Sequence, residues 1–129
     1  MNFPAELKYT KEHEWAKIDG DVATVGITDY AQDALGDIVF IELPKKGMTV
    51  TKGKGAAVVE SVKSVSDVFS PVSGTVVDVN EAISNAPEKV NTSPYTEGWM
   101  MKVKLSNTSD LNDLMNAQDY EHFVAAQKH

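Results

Sequence analysis

The side chains able to do chemistry in this chain are lysines, histidines, serines and carboxylates, because cysteine is absent. That absence excludes disulfides, zinc–thiolate sites and a cysteine nucleophile. Histidine occurs at His13, His122 and His129. His122 falls in the polar part of a helical pattern and His129 stands at the terminus. Neither has metal-ligand spacing from another histidine, and both are expected to be solvated. No serine lies in a nucleophile-elbow pattern. Thr51-Lys52-Gly53-Lys54-Gly55 has the glycines and lysines of a phosphate loop, but no Lys-Ser/Thr follows, and a β-turn accounts for it. Lys+Arg is 12 against 19 Asp+Glu, a net charge of −7, and every cation is a lysine. An acidic chain without arginine suits neither nucleic-acid phosphates nor anionic membranes, so neither is expected as a partner. One lysine, Lys63, stands out by its position.

That position follows from the elements around it. Ala56 to Phe69 reads as strand throughout, without Gly, Pro or Asn. Strands average about 5–6 residues, so a reversal in the middle is more economical, and the middle is Val62-Lys63-Ser64. A lysine at the tip of such a hairpin is exposed and held away from the body.

The other elements also read mainly as β. Valine is the commonest residue, and Gly and Pro punctuate at short intervals. Glu14–Ile18 and Val22–Ile27 flank Asp19-Gly20, a two-residue hairpin signal. Thr28 is expected to cap a short helix whose Ala31, Ala34 and Leu35 share a face and which Gly36 ends. Ile38–Leu43, Thr75–Val79 and Trp99–Leu105 read as strands. Ala86-Pro87-Glu88-Lys89 suits a helical turn. Leu111, Leu114 and Met115, then Tyr120, Phe123 and Val124, recur at helical spacing, with Ser109 and Asn116 as candidate caps. A faint repeat is present. Gly36-Asp37-Ile38-Val39, Val50 and Gly55-Ala56-Ala57-Val58 echo Gly74-Thr75-Val76-Val77, Val90 and Gly98-Trp99-Met100-Met101. Two similar β halves would then meet at the Lys63 hairpin. The length of 129 residues suits one domain. No apolar run is long enough to span a membrane, and the start carries no secretory pattern. A cytoplasmic protein is expected, with the mitochondrial matrix an option only if a leader was removed.

The run from Gly53 to Gly74 around Glu60-Ser61-Val62-Lys63-Ser64 resembles the lipoyl-attachment region of the glycine cleavage system H-protein family. Lys8-Tyr9 with His13-Glu14-Trp15, Val25 to Ala31, Leu35 to Val39, Val90 to Tyr95 and Gly98-Trp99-Met100 extend the resemblance over roughly residues 7 to 124. Biotinyl domains carry Met-Lys-Met and lipoyl domains of 2-oxo acid dehydrogenases usually Asp-Lys-Ala; here Val62 and Ser64 flank the lysine. Glu12 departs from the family, many of whose members have a small polar residue there.

The resemblance implies a mainly β barrel-sandwich hybrid of two quasi-repeated halves with short flanking and C-terminal helices. It implies a single lipoyl-carrier domain over 1–129: an N-terminal hairpin 7–27, a core about 28–105 and C-terminal helices about 109–127. The expected protein is a carrier and not an enzyme. Lipoate would be joined by an amide to Lys63, taking the net charge from −7 to −8. The implied partners are the glycine decarboxylase (P protein), the aminomethyltransferase (T protein), dihydrolipoyl dehydrogenase (L protein) and lipoate-attachment enzymes; a monomer is expected. Glu14 and Asp67 match positions beside the loaded arm, where their carboxylates would face an ammonium. Three rivals remain at this point: a lipoyl or biotinyl carrier of another multienzyme complex, a lipoyl-relay protein, and a small hydrolase using carboxylates such as Glu14 and Asp67.

Overall fold

The structure, a computed structural model, describes residues 1–127, so the expectation for His129 lies outside the described residues. Strands β1 (Lys8–Tyr9), β2 (Glu14–Asp19) and β3 (Val22–Ile27) lie side by side, antiparallel. The β2–β3 hairpin closes on the pair Asp19↔Val22, so its loop is Gly20-Asp21, one residue later than the sequence suggested. The tight hairpin turns want positive φ at their first central residue, and Gly20 supplies it at φ +60.

Helix α1 (Asp29–Leu35) forms as its caps require. Thr28 Oγ1 accepts from the Ala31 N–H at 3.2 Å, and Gly36 ends the helix at φ +83. Ala31 and Leu35 pack on the core, whereas Ala34 is exposed, because it borders an open cleft described below.

The remaining strands are β4 (Ile38–Glu42), β5 (Thr49–Val50), β6 (Gly55–Ser61), β7 (Val65–Phe69), β8 (Gly74–Val79) and β9 (Met101–Leu105). They build a six-stranded sheet, β1-β2-β3-β9-β8-β5, and a three-stranded sheet, β4-β6-β7, a mainly β barrel-sandwich hybrid. The last long strand begins at Met101 and not at Trp99. The carbonyls of Glu97 and Trp99 are each taken by Asn80 Nδ2 at 2.8 Å, which withdraws them from the ladder.

Two helical turns, α2 (Ala82–Asn85) and α3 (Lys89–Thr92), replace the one expected at Ala86–Lys89. Pro87 stands ahead of α3, where its missing N–H costs nothing, and its carbonyl accepts from Val90 N at 3.1 Å. A 3₁₀ helix (Thr108–Asp113) and α4 (Ala117–Gln127) close the chain. Asn107, not Ser109, caps the first: its side chain accepts from Ser109 N at 2.9 Å, which places Ser109 inside the turn. Asn116 caps α4 as expected, accepting from Asp119 N at 2.8 Å.

The repeat has a structural counterpart. In one half β4 pairs with β6, and in the other β8 pairs with β9, each antiparallel. The valine between the strands crosses over. Val50 is buried among Val76, Met101 and Val103 of the β8–β9 half, and Val90 among Ile38, Ile41 and Val59 of the β4–β6 half. Each half therefore supplies a core residue to the other, which locks the two sheets together without closing a barrel. A third apolar cluster, with Leu7, Tyr9, Trp15, Tyr120 and Val124, joins α4 to β1 and β2.

Gly74 sits where β8 approaches β9 too closely for a side chain. A Cβ there would fall on the Lys104 carbonyl, 2.9 Å from its carbon and 2.9 Å from Val103 Cγ1. Backbone cannot step aside as a side-chain end can, so Gly74→Ala should destabilise by about 3 kcal/mol, at the upper end of overpacking costs. Urea unfolding measures it; a midpoint unchanged from the parent would refute the steric account.

Candidate functional site

Two features define the site: a projecting hairpin tip and a cleft at its base. Strands β6 and β7 reverse at Val62-Lys63-Ser64, as their length demanded. Ser61 organises the turn. It is buried, its N–H donates to the Ser64 carbonyl at 2.8 Å, and its Oγ accepts from Ser64 N at 3.1 Å. Val62 N donates to the Asp37 carbonyl at 3.1 Å, which ties the tip to the start of β4. Beyond that tie the tip stands clear: Val62 and Val65 are 70% and 65% exposed. Lys63 is exposed, and its stem passes Gly36, with Cε 3.5 Å from where a Cβ would stand. Among the described residues no carboxylate lies within ion-pair distance of its amine.

The cleft, of about 170 Å³, lies between β7, α1 and the turn from β1 to β2. Glu14 and Asp67 both line it, with Glu12, His13, Tyr30 and Leu35. The two carboxylates paired by the sequence reading therefore share one wall system, but they differ in kind. Asp67 is exposed, whereas Glu14 is only 2% exposed and is not the surface carboxylate that an ordinary reading would give. Glu14 Oε1 accepts from the Thr10 hydroxyl at 2.6 Å, and Oε2 accepts from Phe69 N at 3.3 Å. Burial pushes its pKa up to about 7, and these two hydrogen bonds hold it from rising further. A second groove, of about 440 Å³, opens on the other side of Glu14 and is lined by Thr10, Lys52, Phe69 and Met115; Glu12 borders both spaces.

Sequence reasoning did not single out His13 as part of this wall. It holds φ +72, the left-handed region, which costs a non-glycine residue roughly 1–2 kcal/mol. Its carbonyl accepts from Thr28 N at 3.1 Å, and its ring lies 4.6 Å from that of Tyr30. Burial lowers its pKa, so the ring is neutral at pH 7. His122 is exposed, as expected.

This arrangement suits holding and screening a cation. It offers a titratable buried carboxylate, a second carboxylate at the mouth, and aromatic and aliphatic walls. Among the described residues no group of His, Asp and Glu could hold a metal ion. The hairpin carries both the lysine and Asp67, so one element links the tip to the cleft.

Comparison with known proteins identifies the family of the chain. The family described as "Glycine cleavage H-protein" matches residues 7–127. The chain belongs to the glycine cleavage H-protein family. A glycine cleavage system H protein of Koribacter versatilis is 58% identical over 127 residues, covering 98% of each chain. One of Acidobacterium capsulatum is 56% identical over 124 residues, covering 96% of this chain and 95% of the relative. The crystal structure of a glycine cleavage system H protein from Mycobacterium marinum superposes with a TM-score of 0.88 at 39% identity, over 95% of this chain and 99% of that one. Membership in the H-protein family agrees with the resemblance read from the Lys63 region. Among the described residues, no helix is long and apolar enough to cross a membrane.

Proposed function

We propose that the chain is the lipoyl carrier of the glycine cleavage system, a single domain with lipoate in amide linkage to Lys63. The observation that carries this reading is the hairpin tip. It presents one lysine, unpaired among the described residues, at the far end of a rigid β scaffold in a member of the H-protein family. Lys63 fits an attachment site chemically: its amine is solvent-accessible and its stem lies free along Gly36. Bound there, lipoate supplies a dithiolane able to accept an aminomethyl group and a pair of electrons. The protein's own part is mechanical and electrostatic. The tip holds the arm at high effective concentration for three visiting enzymes: the glycine decarboxylase, the aminomethyltransferase and dihydrolipoyl dehydrogenase. Glu14 and Asp67 face an ammonium brought back into the cleft, and Tyr30, Leu35 and Val68 exclude water from it. The absence of cysteine leaves no protein thiolate to trap the arm by exchange.

The chain itself performs no chemistry on glycine in this reading. Purified alone, it should release no CO2 from glycine at any concentration. Peptide mapping of holo protein from its native host tests the assignment. The expected result is one lipoyl adduct, on Lys63. An adduct on Lys52, Lys54 or Lys102 instead would overturn it.

A further inference from the structure

The wall of the cleft is fastened from behind by one side chain. Tyr120, on α4, is fully buried, and its hydroxyl lies 2.8 Å from His13 Nδ1 and 2.8 Å from Thr28 Oγ1. Thr28 is the cap of α1, accepting from Ala31 N. His13 and α1 form adjoining walls of the same cleft: the His13 ring meets that of Tyr30 at 4.6 Å, and Ala31 and Leu35 continue the lining. One arrangement of protons satisfies all three groups. Thr28 donates to the Tyr120 oxygen, Tyr120 donates to His13 Nδ1, and His13 keeps its proton on Nε2. That arrangement requires a neutral His13, and burial favours that form. The left-handed backbone of His13 needs such a restraint, since an unfastened residue would relax toward ordinary φ. Phe123, also on α4, lies 5.9 Å from the His13 ring and backs it.

We propose that Tyr120 is a positioning residue: through its hydroxyl the C-terminal helix holds the two adjoining walls of the cleft together and so sets how well the cleft shields a docked ammonium. Tyr120 touches neither the arm nor the reacting atoms. The proposal rests on the reading of this cleft as the docking place of the aminomethyl-loaded arm.

The test compares Tyr120→Phe with Tyr9→Phe. Tyr9 stacks on Tyr120 at 4.7 Å in the same apolar cluster, and its hydroxyl donates to the Pro4 carbonyl at 2.6 Å, away from the cleft. Both variants lose one buried hydroxyl, but only Tyr120→Phe unfastens His13. The first readout uses apo protein. The nitrogen NMR shifts of His13 should report an Nε2–H tautomer in the parent and in Tyr9→Phe, and a mixed or protonatable ring in Tyr120→Phe. The second uses holo protein loaded with glycine carbon. Its hydrolysis, R–S–CH2–NH3⁺ + H2O → R–SH + CH2O + NH4⁺, should speed up about fivefold in Tyr120→Phe, the ratio that one hydrogen bond of ordinary strength commands, and not in Tyr9→Phe. Equal rates in Tyr120→Phe and the parent, or equal acceleration by Tyr9→Phe, would refute the role of Tyr120 while leaving the cleft reading intact. If the loaded parent protein hydrolyses as fast as the same adduct on free dihydrolipoamide, the cleft reading falls and this proposal with it.

Discussion

Lys63→Arg should leave a folded protein that accepts nothing from glycine. The substitution keeps a cation at the tip and removes the amine that can be acylated, because the guanidinium stays charged at any accessible pH. Folding should be unaffected to within about 0.5 kcal/mol, the usual range for surface changes, since Lys63 is exposed and joins no ion pair among the described residues. The turn itself is held by Ser61 and by the Val62–Asp37 backbone bond, neither of which involves the lysine side chain. Intact mass of the variant, expressed beside a lipoate-attachment enzyme, should show no adduct, and glycine-dependent CO2 release with the partner enzymes should fall to the level without carrier. Retained carrier function in a well-folded Lys63→Arg protein would mean that the arm is attached elsewhere.

The parts of this molecule legible from sequence are those fixed by neighbours in the chain. The Lys63 hairpin followed from strand length alone, and Thr28, Gly36 and Asn116 declared themselves as caps because a side-chain oxygen or a missing Cβ acts within a few residues. The misplaced boundaries have physical causes of longer range. Trp99 reads as strand until Asn80 takes its carbonyl from across the sheet, and Ser109 reads as a cap until Asn107 reaches past it. The cleft was legible only through resemblance. Glu14 alternates with its neighbours like any strand residue, and nothing local says that Thr10 and Phe69 will bury it. The fastening of His13 by Tyr120 spans most of the chain and has no sequence signal of its own. Ser61 and Ser64, small polar residues in an otherwise apolar strand pattern, were a usable sign of the turn that reading by strand length alone passed over.

Glu14→Gln should make the apo protein more stable at pH 8 and the loaded arm less secure. Glu14 is nearly inaccessible to water, and its pKa rises from 4.5 to about 7 on folding, chiefly through burial. A carboxyl group with a raised folded-state pKa binds its proton more tightly in the native state. Its stabilising contribution is therefore complete below pH about 4.5 and is lost as the pH climbs through about 7. At about 1.4 kcal/mol per pH unit, the ionised group costs the native state roughly 3 kcal/mol above that range. Glutamine is uncharged throughout; its Oε1 can accept from Phe69 N while its Nε2 donates to the Thr10 hydroxyl oxygen, so it should remove that cost. The parent should lose stability relative to Glu14→Gln between pH 5 and 8, in thermal melts of apo protein. In the proposed carrier role, what retains the costly carboxylate is its partner. An ammonium about 4 Å away gains ~1 kcal/mol in water but ~4 kcal/mol at an effective dielectric of about 20. Ordering the lysine stem costs about 2 kcal/mol, before any contribution from the acyl chain. Docking is thus marginal for an uncharged arm and favourable for a charged one, and it weakens as the pH falls below about 7 and the empty cleft takes up a proton. In Glu14→Gln the hydrolysis of the loaded arm should be faster at pH 8 and should lose that pH dependence. A variant that is less stable than the parent at pH 8, with the loaded arm as well protected and as immobile by NMR, would show that Glu14 serves the fold and not the cargo.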